Sequence, residues 1–289
     1  MRRACIDIGS NTTRLLVAEL DADGGLRVVL SQRAFTRLGG AVGEIPAARV
    51  AEVAEVVAGQ VDAARAHGAH TIRAVATAAI RRSANPEAFA AAVLARSGLA
   101  LSVLSEAEEA RLAFAGATRT LGHAAPGLVG VVDVGGGSSE LVAGTLTGGV
   151  SWSVSLAVGS GVLADAHLRS DPPSPAELDA VAEHLARVFA GLQAPRPAAA
   201  YAVGGSATSL RRLIGPVLDH DALGAGLRAL TGMPVAAAAR RFDLHPERAR
   251  LLPAGILLLD AAARAFGAPL RICAGGLREG VVLEEMGNA

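Results

Sequence analysis

One pattern occurs twice in this amino-acid sequence. Residues 5–20 read CIDIGSNTTRLLVAEL, and residues 131–146 read VVDVGGGSSELVAGTL. In both copies an apolar run carries an aspartate, a glycine follows two positions later, and hydroxyl-bearing residues then open a second apolar run. This order predicts a strand, a tight glycine-rich turn and a returning strand, which together make a β-hairpin with small residues at its tip. A repeated hairpin indicates a duplicated architecture.

The segments that follow the two hairpins are also alike. Residues 19–35 and 144–159 each predict a turn and a third strand. Helical spacing of valines follows in residues 46–67, and Ser174 with Glu177 three positions later predicts a capping box at the start of another helix.

This alternation of strands and helices predicts an α/β fold made of two similar domains. We place the domains at residues 1–125 and 126–289, with a hinge at residues 125–130, and expect that the last helix can pack back on the first domain. A chain of 289 residues is long enough for two cores.

Composition excludes several classes of protein. The formal net charge is zero, so bulk electrostatics gives no reason to expect nucleic acid or an anionic membrane as a partner. All 27 basic residues are arginine. Without lysine the chain can form neither the lysine-containing GxxxxGK[ST] phosphate loop nor a Schiff base.

The two cysteines, Cys5 and Cys273, lie far apart in apolar segments, which fits a reducing compartment better than a disulfide framework. The first residues are too polar for a signal peptide, and no apolar run is long enough to span a membrane. We therefore expect a cytoplasmic protein.

The two hairpin tips are predicted to bind anions. Glycine and hydroxyl residues expose backbone N–H and O–H donors with no Cβ atom in the way, as in phosphate-binding nests. Two such tips, one in each domain, are expected to face each other across a cleft between the domains. Two Gly-Gly turns, 204–205 and 275–276, precede helices whose first N–H groups also favour phosphate.

The two tips differ at one informative position. Arg14 in the first copy corresponds to Glu140 in the second. Arginine suits direct contact with phosphate, whereas glutamate needs a cation beside an anionic ligand. Asp133 and Glu140 can therefore hold Mg²⁺ together with water and substrate oxygens. The alternative interpretation makes Glu140 a solvated strand residue and Asp133 a turn-capping carboxylate.

Together with further motifs, these stretches resemble the exopolyphosphatase/guanosine pentaphosphate phosphohydrolase (Ppx/GppA) family. The resemblance covers nearly the whole chain and rests on the segments IDIGSNTTRLLVAE, FTRLGG, AVATAAIRRSANP, SEAEEARLAFAG, DVGGGSSELV, DPPS, AVGGSATSL and GGLREGVV. It implies two duplicated ribonuclease H-like, actin-like ATPase domains, and the chain resembles the short members of the family, which consist of these two domains.

The family hydrolyses terminal phosphoanhydride bonds with Mg²⁺ and uses a glutamate as the catalytic base. The matching element here is SEAEEA, in which Glu108 is our candidate and Glu109 the alternative. A base that deprotonates the attacking water fits this chemistry. Ser105 and Glu108 also have capping-box spacing, so the residues alone allow a purely structural role for Glu108.

The resemblance also implies phosphate contacts and a metal site. The arginine of the family's A-T-x-x-x-R element matches Arg81, although without the resemblance the pair Arg81–Arg82 would more often be an exposed basic pair. The metal carboxylates match Asp133 and Glu140. The phosphate-binding candidates are Ser10, Asn11, Thr12, Arg14, Arg81, Gly136, Gly137 and Ser138.

Two positions depart from the family pattern. Glu106 stands where the family has a glycine, and Val162 stands where it often has an arginine. Both changes weaken the attraction of phosphate, so they bear on the rate more than on the position of the site.

We therefore expect an exopolyphosphatase that releases terminal orthophosphate from inorganic polyphosphate. A pppGpp 5′-phosphohydrolase that produces ppGpp is the alternative, although aromatic residues make up only 3% of the chain and a guanine pocket commonly uses them. A kinase or ATPase of the wider superfamily fits the SEAEEA base less well. A non-catalytic module that binds polyphosphate or alarmone stays open because of Glu106 and Val162. Other divalent ions or K⁺ are further candidate cofactors, and the short relatives suggest a homodimer.

Overall fold

The computed structural model of the protein describes residues 1–39, 43–123, 125 and 127–287, and within them the chain divides into two compact units. The first unit comprises Met1–His123 with Gly275–Ala289, and the second comprises Ala124–Ala274. The segment 275–289 belongs to the first unit. The sequence analysis placed it in the second domain and expected that the last helix can pack back on the first. Residue 126 of the predicted hinge and residue 40 of FTRLGG lie outside the described residues.

The first unit is a five-stranded sheet with helices. Its strands are β1 (Arg2–Ile8), β2 (Thr13–Leu20), β3 (Leu26–Ala34), β4 (Ala69–Ala76) and β5 (Leu101–Val103). Its helices are α1 (Ala47–Ala66), α2 (Ala78–Arg81), α3 (Pro86–Ser97), α4 (Glu106–Arg119) and α11 (Leu277–Glu285). The strand order is β3-β2-β1-β4-β5. Strand β2 is antiparallel to both β1 and β3, whereas β4 and β5 run parallel to β1.

Alternation along β1 distributes apolar side chains to both faces of this sheet, as the two-residue period of a strand requires. Ile6 and Ile8 pack in a core with Val57 of α1 and Phe89 of α3. On the other face, Cys5 packs in a core to which α4 and α11 contribute. Asp7, two residues after Cys5, lies on this second face.

The second unit repeats the plan with additions. Its strands are β6 (Val129–Val134), β7 (Ser139–Thr145), β8 (Gly149–Leu156), β9 (Ala199–Val203), β10 (Val217–Leu218) and β11 (Leu270–Ile272). Its helices are α5 (Ser160–His167), α6 (Pro175–Phe189), α7 (Gly204–Ile214), α8 (His220–Thr231), α9 (Val235–Arg241) and α10 (Pro246–Phe266). The sheet order is β10-β11-β9-β6-β7-β8, and the long helix α10 lies in the centre of the core.

The two sheets share one topology. A meander of three strands, β1-β2-β3 or β6-β7-β8, is continued beside its first strand by two parallel strands, β4 and β5 or β9 and β11. Strand β10 is an extra edge strand of the second sheet. The predicted duplicated α/β fold is therefore confirmed, as is the capping box of Ser174 and Glu177 at the start of α6.

Within the described residues, no single helix is both long and apolar enough to cross a membrane. Helices α8 and α9 reach the length and apolar composition of a membrane span only when they are taken together, and they are bent by 119° relative to each other.

Glycines allow α4 and α11 to approach each other closely. A Cβ atom on Gly116 of α4 would overlap the carbonyl oxygen of Gly276, and one on Gly280 of α11 would overlap that of Leu112. Gly275 is equally restricted by the carbonyl oxygen of Gly116. The turn 275–276, which the sequence marked as a possible phosphate turn, therefore has a packing reason for its glycines.

We expect Gly280→Ala to lower the free energy of unfolding by about 2 kcal/mol, because the new methyl group meets main-chain atoms that cannot move independently. The matched control is Gly59→Ala in α1, where a Cβ atom would have no neighbour within 4 Å. That change should stabilise by about 0.5–1 kcal/mol through helix propensity alone. Urea unfolding of both variants tests the close contact, and an equal gain in both would contradict it.

Candidate active site

The first hairpin tip, residues 9–12, is closed by its own backbone. The N–H of Gly9 donates to the carbonyl oxygen of Thr12 at 3.0 Å. This closure sets the register of β1 and β2, in which Asp7 is paired with Arg14. The predicted phosphate contacts Ser10, Asn11 and Thr12 therefore lie in one tip at the end of β1, and Arg14 lies next to this tip on β2.

A strap after β3 holds this tip in place. The N–H groups of Thr36 and Arg37 both donate to the carbonyl oxygen of Asn11 at 3.1 Å, and the N–H of Gly39 donates to that of Ser10 at 3.0 Å. Arg37 adopts a φ of 47°, which a residue with a side chain rarely does. The sequence analysis assigned no role to the segment FTRLGG. In the structure, backbone N–H groups of this segment donate to the carbonyl oxygens of the tip.

Two side-chain donors of the tip remain unmet. Asn11 Nδ2 and Arg14 Nε are buried and form no hydrogen bond with the residues that the structure describes. Burial, followed by the nearby Arg278 and Arg33, lowers the pKa of Arg14 to about 9. Because buried donors in folded proteins are almost always hydrogen-bonded, these atoms indicate a place for an anionic acceptor.

The second tip, residues 135–138, is closed in the same way. The N–H of Gly135 donates to the carbonyl oxygen of Ser138 at 3.0 Å, and Asp133 is paired with Glu140 across β6 and β7. The start of α5 is bound to this tip: the N–H groups of Gly161 and Val162 donate to the carbonyl oxygen of Gly136 at 2.9 and 3.0 Å.

These contacts explain the two glycines at the start of α5, which pack on the second tip. A Cβ atom on Gly159 would lie 2.5 Å from the carbonyl carbon of Gly136, and one on Gly161 would lie 2.9 Å from its oxygen. Main chain therefore packs on main chain here, and the first N–H groups of α5 are already used. The candidates Gly136, Gly137 and Ser138 lie on this tip.

Asp133 and Glu140 fit the predicted metal site. The two carboxylates stand opposite each other on antiparallel strands, where like charges repel unless a cation lies between them. Glu140 is buried and accepts a hydrogen bond from Ser155 Oγ at 3.0 Å, which orients it. No group of three or more His, Cys, Asp or Glu suited to a metal occurs in the described part of the chain. A pair completed by substrate oxygens and water suits Mg²⁺.

The turn Gly204-Gly205 adjoins this pair. A Cβ atom on Gly204, whose φ is 80°, would collide with Asp133 Oδ1, and one on Gly205 would lie 2.5 Å from Arg248 Nη2. Arg248, buried at the start of α10, is a charged group beside Gly205 that the sequence analysis missed. Its position depends on how α10 packs, which no motif reveals.

Glu108 forms the capping box that the spacing allowed. Its N–H is bound by Ser105 Oγ at 3.3 Å, while its Oε2 accepts from the N–H and hydroxyl of Ser105 at 2.9 and 2.7 Å. These bonds lower the pKa of Glu108, which is exposed and so is ionised at neutral pH. Both of the hydrogen bonds that the carboxylate accepts use Oε2, so the cap also fixes where Oε1 lies.

Arg81 is engaged with carboxylates. Its Nη1 donates to Glu109 Oε2 at 3.0 Å and to the carbonyl oxygen of Leu104 at 2.7 Å. Its Nη2 lies 3.7 Å from Oε1 of Glu106, the residue that replaces the usual glycine. Glu109 is buried, whereas Glu106 is exposed. The predicted phosphate ligand thus carries a charge that two glutamates partly offset.

Three strand ends bring the candidates of the first unit to one edge. The first tip follows β1, α2 with Arg81 follows β4, and Ser105 and α4 follow β5. These three strands are parallel, so their carboxyl ends share an edge, which is where ligands bind in open α/β sheets. The candidates of the second unit follow β6 in the equivalent position.

The duplicated topology, with one glycine-rich tip in each unit, fits the predicted actin-like ATPase fold. The chain matches the sequence model of the Ppx/GppA phosphatase family over residues 16–289. It is 30% identical over 301 residues to exopolyphosphatase 2 of Mycobacterium tuberculosis, and this match covers 91% of this chain and 90% of that protein. It is 29% identical over 306 residues to exopolyphosphatase 1 of Mycobacterium leprae, with 99% and 90% covered.

Among solved structures, the crystal structure of the Aquifex aeolicus member of the Ppx/GppA family matches with a TM-score of 0.81 and 29% identity. The match covers 99% of this chain and 97% of that one. This chain belongs to the Ppx/GppA phosphatase family.

We expect Glu106→Gln to strengthen phosphate binding, because it removes a negative charge beside Arg81. Because Glu106 is exposed and Arg81 is half-buried, the gain should be about two- to fivefold in affinity for inorganic tripolyphosphate, and smaller at high salt. Calorimetric titration without metal measures it. Glu87→Gln, in the exposed first turn of α3, is the control, and an equal gain in that variant would contradict an effect through Arg81.

Proposed function

We propose that this protein is an exopolyphosphatase, a phosphoanhydride hydrolase that releases terminal orthophosphate from inorganic polyphosphate with the help of Mg²⁺. The observation that carries the proposal is the shared edge of β1, β4 and β5. It brings the exposed carboxylate of Glu108, the guanidinium of Arg81 and the unmet donors of the first tip to the ends of adjacent strands. The names of the mycobacterial relatives support the choice of substrate.

In the proposed reaction Glu108 takes a proton from the attacking water. The water oxygen forms a bond to the terminal phosphorus while the bond from that phosphorus to the bridging oxygen breaks. Orthophosphate leaves, and the remaining chain is one phosphate shorter. Most of the catalytic work is positioning and charge stabilisation, because the phosphoryl group needs little covalent assistance.

Glu108 suits the role of base better than Glu109. A base must reach water, and Glu108 is exposed and ionised, whereas Glu109 is buried against Arg81. The hydrogen bonds from Ser105 hold Glu108 in one orientation, so the structural role as a cap and the chemical role as a base are compatible.

The remaining candidates bind phosphate or metal in this proposal. Arg14 and Arg81, with the hydroxyl and N–H donors of the first tip, bind phosphate oxygens in the first unit. Gly136, Gly137 and Ser138 do so in the second unit. Asp133 and Glu140 would hold Mg²⁺, whose charge would offset the negative charge of the phosphate oxygens. The homodimer and the cytoplasmic location stay predictions.

We expect Glu108→Gln to lower orthophosphate release from long-chain polyphosphate by about a hundredfold or more, the usual contribution of a general base. Glutamine at this position keeps the capping box, so the melting temperature should change little. The matched control is Glu177→Gln in the equivalent capping box of α6, which should keep full activity.

Parallel assays with pppGpp and ATP identify the substrate. Release from pppGpp alone would replace polyphosphate by the alarmone as substrate. Release unchanged in Glu108→Gln would remove this residue as the base. Binding of polyphosphate with no release from any substrate would make the chain a binding module.

The pKa of Glu108 predicts a pH dependence. Because hydrogen bonds from Ser105 lower this pKa, the base stays ionised as the pH falls, and the acid limb of kcat/KM should lie below about pH 4.3, the ordinary value for Glu. Ser105→Ala removes the hydroxyl donor, so its acid limb should move to higher pH. Rates of wild type and variant between about pH 2.5 and pH 8 measure both acid limbs, and coincident limbs would contradict the link.

A further inference from the structure

Charged side chains form a row across the first sheet. Asp7 on β1 is paired with Arg14 on β2, and Arg14 is paired in turn with Arg33 on β3. Adjacent strands lie only about 4.8 Å apart, so these three side chains project from neighbouring positions on one face. Two arginines directly opposite each other repel, and such pairs destabilise a sheet.

A third arginine reaches the same face from α11. Arg278 is buried, its Nη1 donates to the carbonyl oxygen of Leu15 at 3.5 Å, and its Nη2 lies 3.8 Å from Glu279 Oε1. Its charge acts on both partners: after burial, Arg278 is the next cause that lowers the pKa of Arg14 and the pKa of Arg33. The three guanidinium groups thus form one electrostatic cluster.

The carboxylates near the cluster do not satisfy it. Asp7 and Glu279 are the acids that act on Arg14. Burial raises the pKa of Asp7, and Glu279 already accepts a hydrogen bond from the N–H of Gly276 at 2.8 Å. Arg14 Nε is buried without a hydrogen bond to any residue that the structure describes. An external anion would supply both the missing charge and the missing acceptor.

We propose that Arg14, Arg33 and Arg278 together form one binding site for an oxyanion of a phosphoanhydride chain, in which Arg33 and Arg278 are substrate-binding residues. Guanidinium groups offer paired N–H donors that match phosphate oxygens. Arg33 is exposed and lies 6.0 Å from the ring centroid of Phe35, so it is the solvent-facing member. Arg278 is buried and Arg14 is half-buried with a buried Nε, so these two form the inner part. The inference rests on the proposed function, since it names residues that bind the same substrate.

The site selects for charge density. Three cations within one cluster favour a ligand that carries several negative charges on adjacent phosphates over a single orthophosphate. The affinity should also fall as salt is added, because Arg33 is open to solvent.

The decisive variant is Arg33→Gln, since this exposed residue can be replaced without opening the core. Calorimetric titration with inorganic tripolyphosphate, in EDTA to keep metal out, should show about a tenfold loss of affinity. The melting temperature without ligand should be equal to or above that of wild type, because a repulsion is removed. Arg27→Gln on the same strand is the control: Arg27 is exposed and pairs with Glu19, so its loss should leave the affinity unchanged.

The outcomes separate this inference from the proposed function. Wild-type affinity in Arg33→Gln, or an equal loss in Arg27→Gln, overturns the site. A lower melting temperature with unchanged affinity also overturns it, because Arg33 would then be structural. Arg278→Gln, provided that it folds, should lose at least as much affinity as Arg33→Gln, and retained affinity there removes Arg278 from the site.

Hydrolysis assays complete the separation. Tripolyphosphate binding that depends on Arg33, in a wild-type protein that releases no orthophosphate, supports the site while the proposed function fails. Orthophosphate release with the same KM for polyphosphate in wild type and Arg33→Gln overturns the site while the proposed function stands.

Discussion

The short backbone hydrogen bond that closes each hairpin tip is the constraint on which both candidate sites depend. It joins Gly9 to Thr12 in the first unit and Gly135 to Ser138 in the second. Each closure sets the register of the two strands of its hairpin. The aspartate before the glycine therefore pairs with Arg14 in the first unit and with Glu140 in the second. The fold therefore supplies one geometry twice. In our proposal both tips bind phosphate, and the exchange of Arg14 for Glu140 at the facing position adds a guanidinium to the first site and a metal-binding carboxylate to the second.

Parallel strand pairing brings residues that are distant in sequence to one edge of the sheet, as the hairpin does for residues that are close in sequence. Arg81 and Glu108 are separated from the first tip by long stretches of chain, yet each follows a strand that runs parallel to β1. Helix α4 and its N-cap residue also carry the groups that change the ionisation of Glu108 and offset the charge of Arg81. Ser105 keeps Glu108 ionised, while Glu109 and Glu106 moderate the charge of Arg81. Capping, ion pairing and the proposed chemistry thus use the same few atoms.

The sequence predicted what depends on local pattern. The repeated hairpins, the duplicated fold and the capping boxes at Ser105 and Ser174 follow from residue spacing, and the structure confirms them. Features that need tertiary pairing escaped prediction. Arg33 gains meaning only from its place opposite Arg14, and Arg278 only from the docking of α11. Local pattern also did not reveal that the glycines of residues 275–276 are needed for close packing against the backbone of α4.

The packing of α11 on the first unit means that this unit cannot be completed until the end of the chain has been synthesised. Residues 277–285 complete the first unit, although the whole of the second unit precedes them along the chain. While the protein is being synthesised, the sheet face that carries Cys5 and Leu16 has no α11 to cover it, and Arg278 is missing. The first unit is thus begun first and finished last on the ribosome. A nascent chain stopped short of α11 would expose that apolar face to chaperones and lack one of the three clustered arginines.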